Sequence, residues 1–280
     1  MSSRQIVGPD NEHAVLHDLG GEGSPLLFTH GNGLNAGMWA TVVPHLRPHF
    51  HCYGLDFRGH GASRPINDPL DVARSHFIDE IVQAVDTIAH DGPIAAVGHS
   101  LGGATLVHAE HQRPGTFSKL FLFEPVIVPD AFQRPDGDHP LVIASRHRRM
   151  QFDSCEAAYD RFMSKPPYSG CDPEAVRAYV ELGTYPDPEG GVRLSCSGDT
   201  EANIYSTGTD TDFAGLAEIT CPIAVARGLD ISEGNDMPPL MAPLIAEALG
   251  DGTLVEMQGL THFGPMEDGE ATAAAILQHL

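Results

Sequence analysis

The stretch GHSLGG, Gly98 to Gly103, sets a serine among small residues where an apolar strand turns into a helix. Ile94 to Val97 is a short apolar run behind the breaker Asp91-Gly92-Pro93, and Leu101 to His111 reads as a helix, so Ser100 is predicted on the turn between them. Gly98-His99-Ser100-Leu101-Gly102 fits G-x-S-x-G. That spacing has a mechanical reason: the turn is sharp enough to strain the serine backbone, and its flanking positions must be small for strand and helix to approach. A hydroxyl held there attacks a carbonyl only if a base removes its proton as the bond forms.

Sixteen histidines compete for that role. His99 is expected to point away from the serine, beneath the sheet. His30 and His60 sit in glycine-flanked loops, where an imidazole more often fixes the backbone. His108 and His111 are spaced to suit a metal pair, but HAEH is not H-E-x-x-H and no third ligand suggests itself, so neither a metal nor any cofactor is expected. His262 follows the last predicted strand on a loop ended by Gly264-Pro265, which leaves its imidazole free to reach over the sheet edge. A developing oxyanion also needs two preorganised N–H donors. The N–H of Leu101, opening the helix, is one.

The elements that must position these groups are short apolar strands alternating with helical patterns, the signature of a mainly parallel sheet. Strands are predicted at Pro25 to His30, His51 to Asp56, Ile94 to His99, Lys119 to Val126, Pro222 to Gly228 and Thr253 to Gly259, with an antiparallel pair over Gln5 to Leu19. Helices are predicted at Phe77 to Ala89 and Pro239 to Leu249. About 95 residues separate Val126 from Pro222, far more than a crossover of a dozen or so. The chain therefore divides into a core over 1–128 and 213–280 and a mostly helical cap over 129–212. The cap helices are predicted at His139 to Gln151, Ser154 to Met163 and Pro173 to Leu182, joined by the turn-rich linkers KPPYSG and YPDPEGG.

Four stretches in order, LLFTHGNGLNAGMW (Leu26 to Trp39), DFRGHGAS (Asp56 to Ser63), GHSLGG and GLTHFGPMED (Gly259 to Asp268), resemble the successive signatures of the α/β-hydrolase superfamily, its capped serine-hydrolase branch of esterases and lactonases. The resemblance covers the core from about residue 25 to the C-terminus. It implies an eight-stranded, mainly parallel sheet flanked by helices with the cap inserted after the sixth strand, His262 as the base, and Asn32 in HGNG as the second oxyanion donor. Gly33 stands where many relatives have proline, which predicts a looser loop. Trp39, Met38 and Phe263 are candidates for the substrate pocket; Phe123, Met163, Tyr168 and Phe213 could line the same cleft. The acid that orients His262 departs from the common pattern. Relatives carry G-x-x-D after the seventh strand, but Gly228 is followed by Leu229, Asp230 and Ile231, so Asp230 falls one residue early, with Glu233 and Asp236 further along. Glu124 in LFLFEPVIVP, at the end of the sixth strand, is the favoured alternative, as in superfamily members that place their acid there; a glutamate in an apolar run is costly to bury unless paired.

Composition sets the outer bounds. A chain of 280 residues with 41% apolar side chains buries a full core. Its 38 acidic against 16 basic side chains, a net charge of −22, argue against nucleic-acid partners and suit a neutral or cationic small molecule, although net charge says little about a buried pocket and solubility alone is the favoured reason for it. SRHRRM (Ser145 to Met150) is the one basic cluster and reads as a solvated helix face. Five scattered cysteines, no apolar leader and no membrane-length run predict a cytoplasmic protein with packed thiols. The oligomeric state is left open, a homodimer included. The expected activity is cleavage of a carboxylic ester or lactone through an acyl-enzyme intermediate. Carbon–carbon bond hydrolysis or perhydrolysis with the same triad, and a non-catalytic ligand receptor on the same scaffold, are the alternatives.

Overall fold

The computed structural model describes residues 2–7, 13–63, 66, 68, 70–89, 92–129, 140–207, 213–231 and 237–280. β1 (Ser2–Val7) and β2 (His13–Gly20) form the antiparallel pair. β3 (Ser24–Thr29) leads through a 3-10 turn at Ala36–Trp39 and the short helix α1 (Val43–Leu46) into β4 (Phe50–Asp56). Then come α2 (Arg74–Ile88), β5 (Ile94–His99), α3 (Leu101–Gln112) and β6 (Phe117–Phe123). The central strands are buried on both faces, which is why they read as unbroken apolar runs. α2 buries Phe77, Ile78, Ile81, Ala84, Val85 and Ile88, one stripe at helical period. β6 stops at Phe123, short of the predicted Val126, because Glu124 turns the chain with φ +45° and Pro125 follows.

The insertion carries α4 (Pro140–Arg146), β7 (Gln151–Phe152), α5 (Cys155–Met163), α6 (Pro173–Leu182), β8 (Thr184–Pro186), β9 (Val192–Leu194) and α7 (Gly198–Ser206). α5 and α6 start where their caps dictate: Ser154 Oγ accepts the Ala157 N–H, and Asp172 accepts the Glu174 N–H ahead of Pro173. Three features depart from the sequence reading. α4 ends at Arg146, and Gln151 belongs to a strand. YPDPEGG is the turn of a β-hairpin, part of a three-stranded sheet ordered β7-β9-β8; Gly191 takes φ +74° there, and a Cβ would strike the Phe152 carbonyl oxygen at 2.1 Å. The fourth helix, α7, had too weak an apolar period to be singled out. The expected ends of the insertion abut 130–139 and 208–212, which lie outside the described residues.

The chain returns through β10 (Ile223–Gly228), α8 (Met237–Ala248), β11 (Gly252–Met257), the short α9 (Gly264–Glu267) and α10 (Gly269–His279). The eight-stranded sheet is ordered β1-β2-β4-β3-β5-β6-β10-β11, parallel from β4 onward. One apolar cluster holds residues of α2, α3 and α8 on one side of the sheet; the other joins α1, α10 and the apolar faces of α5 and α6. The insertion therefore shares a core with the sheet. No helix of the described residues is long and apolar enough to cross a membrane.

Candidate active site

Ser100 sits between β5 and α3 with φ 52° and ψ −116°. Glu124, one residue past β6, has φ 45°, and these are the two non-glycine residues with positive φ among the described residues. Such backbone costs on the order of 1–3 kcal/mol and persists only where its surroundings enforce it, typically at functional sites. The enforcement is visible. A Cβ on Gly98 would lie 2.6 Å from Gly103 Cα, and one on Gly102 would lie 2.7 Å from the His30 carbonyl oxygen, so both glycines of the elbow are required for close approach. The Ser100 N–H donates to the Phe123 carbonyl at 3.0 Å, tying the serine turn to the residue before Glu124.

Glu124 is fully buried. Its Oε2 accepts the His262 Nδ1–H at 2.7 Å, and its Oε1 accepts the Gly228 N–H at 2.8 Å. Burial pushes the Glu124 carboxyl up to about 8, against the pull of the Gly228 N–H and the Arg227 charge, and pushes His262 down to about 4. Burial disfavours the charged form of each group, and their mutual hydrogen bond opposes both trends. The direction that governs the chemistry is that of the imidazole, which is held neutral. Ser100 and His262 are 8% and 7% exposed, so both are buried with only a small part of each reaching solvent. No hydrogen bond joins Ser100 Oγ to His262 among the described residues; catalytic contacts of this kind are commonly long until the reacting group is bound. Asp230 is exposed and forms no side-chain hydrogen bond or ion pair with His262 among the described residues; its main-chain N–H supports the base loop instead, donating to the Leu260 carbonyl at 2.9 Å. Glu233 and Asp236 lie outside the described residues.

The N–H groups of Asn32 and Leu101 donate to no other protein group among the described residues. Three N–H groups beside them are engaged: Ser100 N–H to Phe123, Gly102 N–H to His30 at 3.0 Å, and Gly33 N–H to His60 Nε2 at 3.1 Å. Gly33 corrects the expectation of a looser loop. It takes φ +74°, which proline cannot, and its carbonyl accepts the Tyr179 hydroxyl at 3.1 Å. Asn32 Nδ2 donates to the Glu201 main-chain oxygen at 3.0 Å. The loop is therefore pinned from below by His60 and from above by α6 and α7. Asp56 anchors the same region by accepting the Ala36 and Ala62 N–H groups, each at 2.7 Å, and His17 Nε2–H at 2.9 Å. His30 and His60 are neutral backbone props: burial lowers both, and each accepts one N–H and donates to one carbonyl.

Several candidates are placed differently from expectation. Met38 and Trp39 have no exposed surface and pack in the core, with Trp39 5.2 Å from Phe28, so they have no accessible face to offer a substrate. Phe263 stays half-buried beside the site, edge-on to His262 and Tyr168. Phe213 packs against the opposite apolar cluster, with α2, α3 and α8. Arg148 of the basic cluster is no solvated residue: it pairs with Glu201 and donates to the Tyr179 hydroxyl at 3.1 Å. His99 does not point away beneath the sheet; its ring lies 4.6 Å from that of His262. His108 and His111 part company, the first taking an N–H from Arg74 and the second facing Glu218. The five cysteines form no disulfide, and burial raises the thiols of Cys52, Cys171 and Cys221 to about 12. A cavity of about 310 Å³ opens among Arg146, Tyr185, Arg193 and Ser197 of the insertion, lined by none of Ser100, Glu124 or His262.

The alpha/beta hydrolase family model matches residues 26–275. The chain is 25% identical over 232 residues to an (E)-2-((N-methylformamido)methylene)succinate hydrolase of Acinetobacter baylyi, covering 82% of this chain and 81% of that protein. It is 26% identical over 229 residues to a pimeloyl-[acyl-carrier protein] methyl ester esterase of Photobacterium profundum, covering 78% and 85%. Among solved structures, an E-2-(acetamidomethylene)succinate hydrolase superposes with a TM-score of 0.78 at 22% identity, over 99% of this chain and 98% of the other.

Proposed function

The chain belongs to the alpha/beta hydrolase family, and from that premise we propose that it is a serine hydrolase of small carboxylic esters or lactones, working without a cofactor through an acyl-enzyme intermediate. The observation that carries the reading is the buried Glu124–His262 contact of 2.7 Å beside Ser100, with positive φ at both Ser100 and Glu124. Glu124 holds the Nδ1–H, which leaves Nε2 as the bare, basic nitrogen. His262 Nε2 takes the proton as Ser100 Oγ bonds to the substrate carbonyl carbon. The carbonyl oxygen gains charge, and the unengaged N–H groups of Asn32 and Leu101 receive it; each such donor is worth on the order of 10²–10³ in rate. Collapse expels the alcohol, protonated by His262, and water repeats the sequence on the acyl-enzyme. The insertion serves as a cap over this centre, its Tyr179 and Glu201 fixing the loop that carries Asn32. Free thiols suit a reducing, cytoplasmic setting.

The test is turnover of p-nitrophenyl acetate together with labelling by a fluorophosphonate. Ser100→Ala should lose both while keeping its fold, with residual turnover on the order of 10³–10⁴ over water. A folded Ser100→Ala protein with wild-type turnover refutes the reading.

A further inference from the structure

His99 immediately precedes the serine and is 1% exposed. Its Nε2 lies 2.8 Å from the main-chain oxygen of His262. A carbonyl only accepts, so Nε2 carries the hydrogen, and in a neutral ring Nδ1 is then bare. Burial, and next the neighbouring His262, hold His99 neutral. Nδ1 is buried and finds no donor. It faces Gly31, where a Cβ would come within 2.6 Å of Nδ1 and 3.2 Å of Ser100 Cβ. One ring therefore touches three segments at once: the serine turn, the loop entering Asn32 and the loop that carries His262.

We propose that His99 is a positioning residue for His262, its Nε2–H fixing the carbonyl of the base and its ring setting where the imidazole lies relative to Ser100. This rests on the reading of Ser100 and His262 given above. A buried ring nitrogen with no donor is unfavourable. Phenylalanine would fill the same space without that defect, so packing alone does not account for an imidazole. What the imidazole adds is one N–H, and that N–H reaches the base residue 163 positions along the chain. Because His99 and Ser100 are consecutive, the bond registers nucleophile and base to each other through a single peptide unit.

His99→Phe keeps the ring and removes the donor; His99→Gln places an amide N–H at a similar reach. Both are compared with wild type and Ser100→Ala for kcat and KM on p-nitrophenyl acetate, with active sites counted by fluorophosphonate labelling and folding followed by thermal melts. Misplacing a reacting group by about 1 Å costs about 10²-fold, so His99→Phe should lower kcat by that order with KM within about twofold, and His99→Gln should recover at least about tenfold. A purely structural role would lower the melting temperature of both variants and leave kcat per labelled site unchanged. Should the phenylalanine variant not fold, His99→Met removes the donor with a flexible apolar chain. A folded donor-less variant with kcat within about threefold of wild type, or a glutamine variant no better than it, overturns the inference. If Ser100→Ala retains turnover, the parent reading fails and takes this one with it; if Ser100→Ala is dead and His99→Phe is normal, only the role of His99 fails.

Discussion

Replacing Glu124 by glutamine removes the Oε2 acceptor while leaving the shape of the site, and the hydrogen bonds dictate the outcome. Oε1 accepts the Gly228 N–H at 2.8 Å, so a glutamine must keep its carbonyl oxygen there, because its NH₂ would face another donor. The NH₂ is thereby forced into the place of Oε2, 2.7 Å from His262 Nδ1. A donor at that point demands a bare Nδ1 and moves the imidazole hydrogen to Nε2, the nitrogen that has to accept from Ser100. The wrong tautomer, as in a serine-protease triad whose aspartate becomes asparagine, lowers kcat by about 10⁴, or about 5.4 kcal/mol of barrier. Stability should change little, since the amide is uncharged and its partners remain. Asp230→Asn, at an exposed side chain, should stay near wild type. The assay is kcat for both variants at equal counts of labelled serine, with Ser100→Ala as the floor. A crippled Asp230→Asn beside a near-normal Glu124→Gln would refute the reasoning and return the acid to the loop after β10.

The acid limb of kcat/KM should lie below the ordinary imidazole value of about 6.5, because His262 works only when unprotonated and burial lowers it to about 4; a midpoint at or above 6.5 in a still-folded protein contradicts this. Stability to urea should fall as the pH drops below about 6.5 and continue to fall toward about 3. Buried His30 and His108 are lowered to about 3, so the unfolded chain binds the extra protons, each costing up to about 1.4 kcal/mol per pH unit. Flat urea midpoints between pH 7 and pH 5 would count against it. Gly33→Pro should lower both stability and kcat, since it removes the N–H donated to His60 and cannot take φ +74°; the unpaired His60 nitrogen alone is worth about 1–3 kcal/mol, and unchanged urea unfolding would show that the loop is not pinned as described. Glu80→Ala removes the buried one of the two carboxylates paired with the fully buried Arg58, the one at 2.5 Å, and leaves the part-exposed Asp71 at 3.3 Å; it should cost up to about 3–5 kcal/mol, read by chemical unfolding, and a loss under about 1 kcal/mol would mean that Asp71 and water compensate the guanidinium.

Short-range pattern determined much of this protein. The apolar runs, the breakers between them and the G-x-S-x-G turn are local signals, and they placed the core strands, the serine turn and the loop of His262 from sequence alone. The glycine at 33 was visible too, but its reason was not: a residue that donates its N–H to His60 and accepts the Tyr179 hydroxyl at its carbonyl is read as loose when only its flexibility is seen. Which carboxylate meets His262 was decided by tertiary structure, because the direction of Glu124 depends on a backbone angle of +45° and on the N–H of Gly228, 104 residues away. The same holds for Arg148, drawn out of a basic run by Glu201, and for Met38 and Trp39, absorbed into a core whose other wall comes from α5 and α6. His99 occupies the variable position of the motif, where pattern assigns nothing, and its ring turns toward His262 because the carbonyl that receives its N–H arrives from the far end of the chain. Spacing along a chain fixes which face of an element a residue occupies; what that residue touches is set by whichever distant segment folds onto that face.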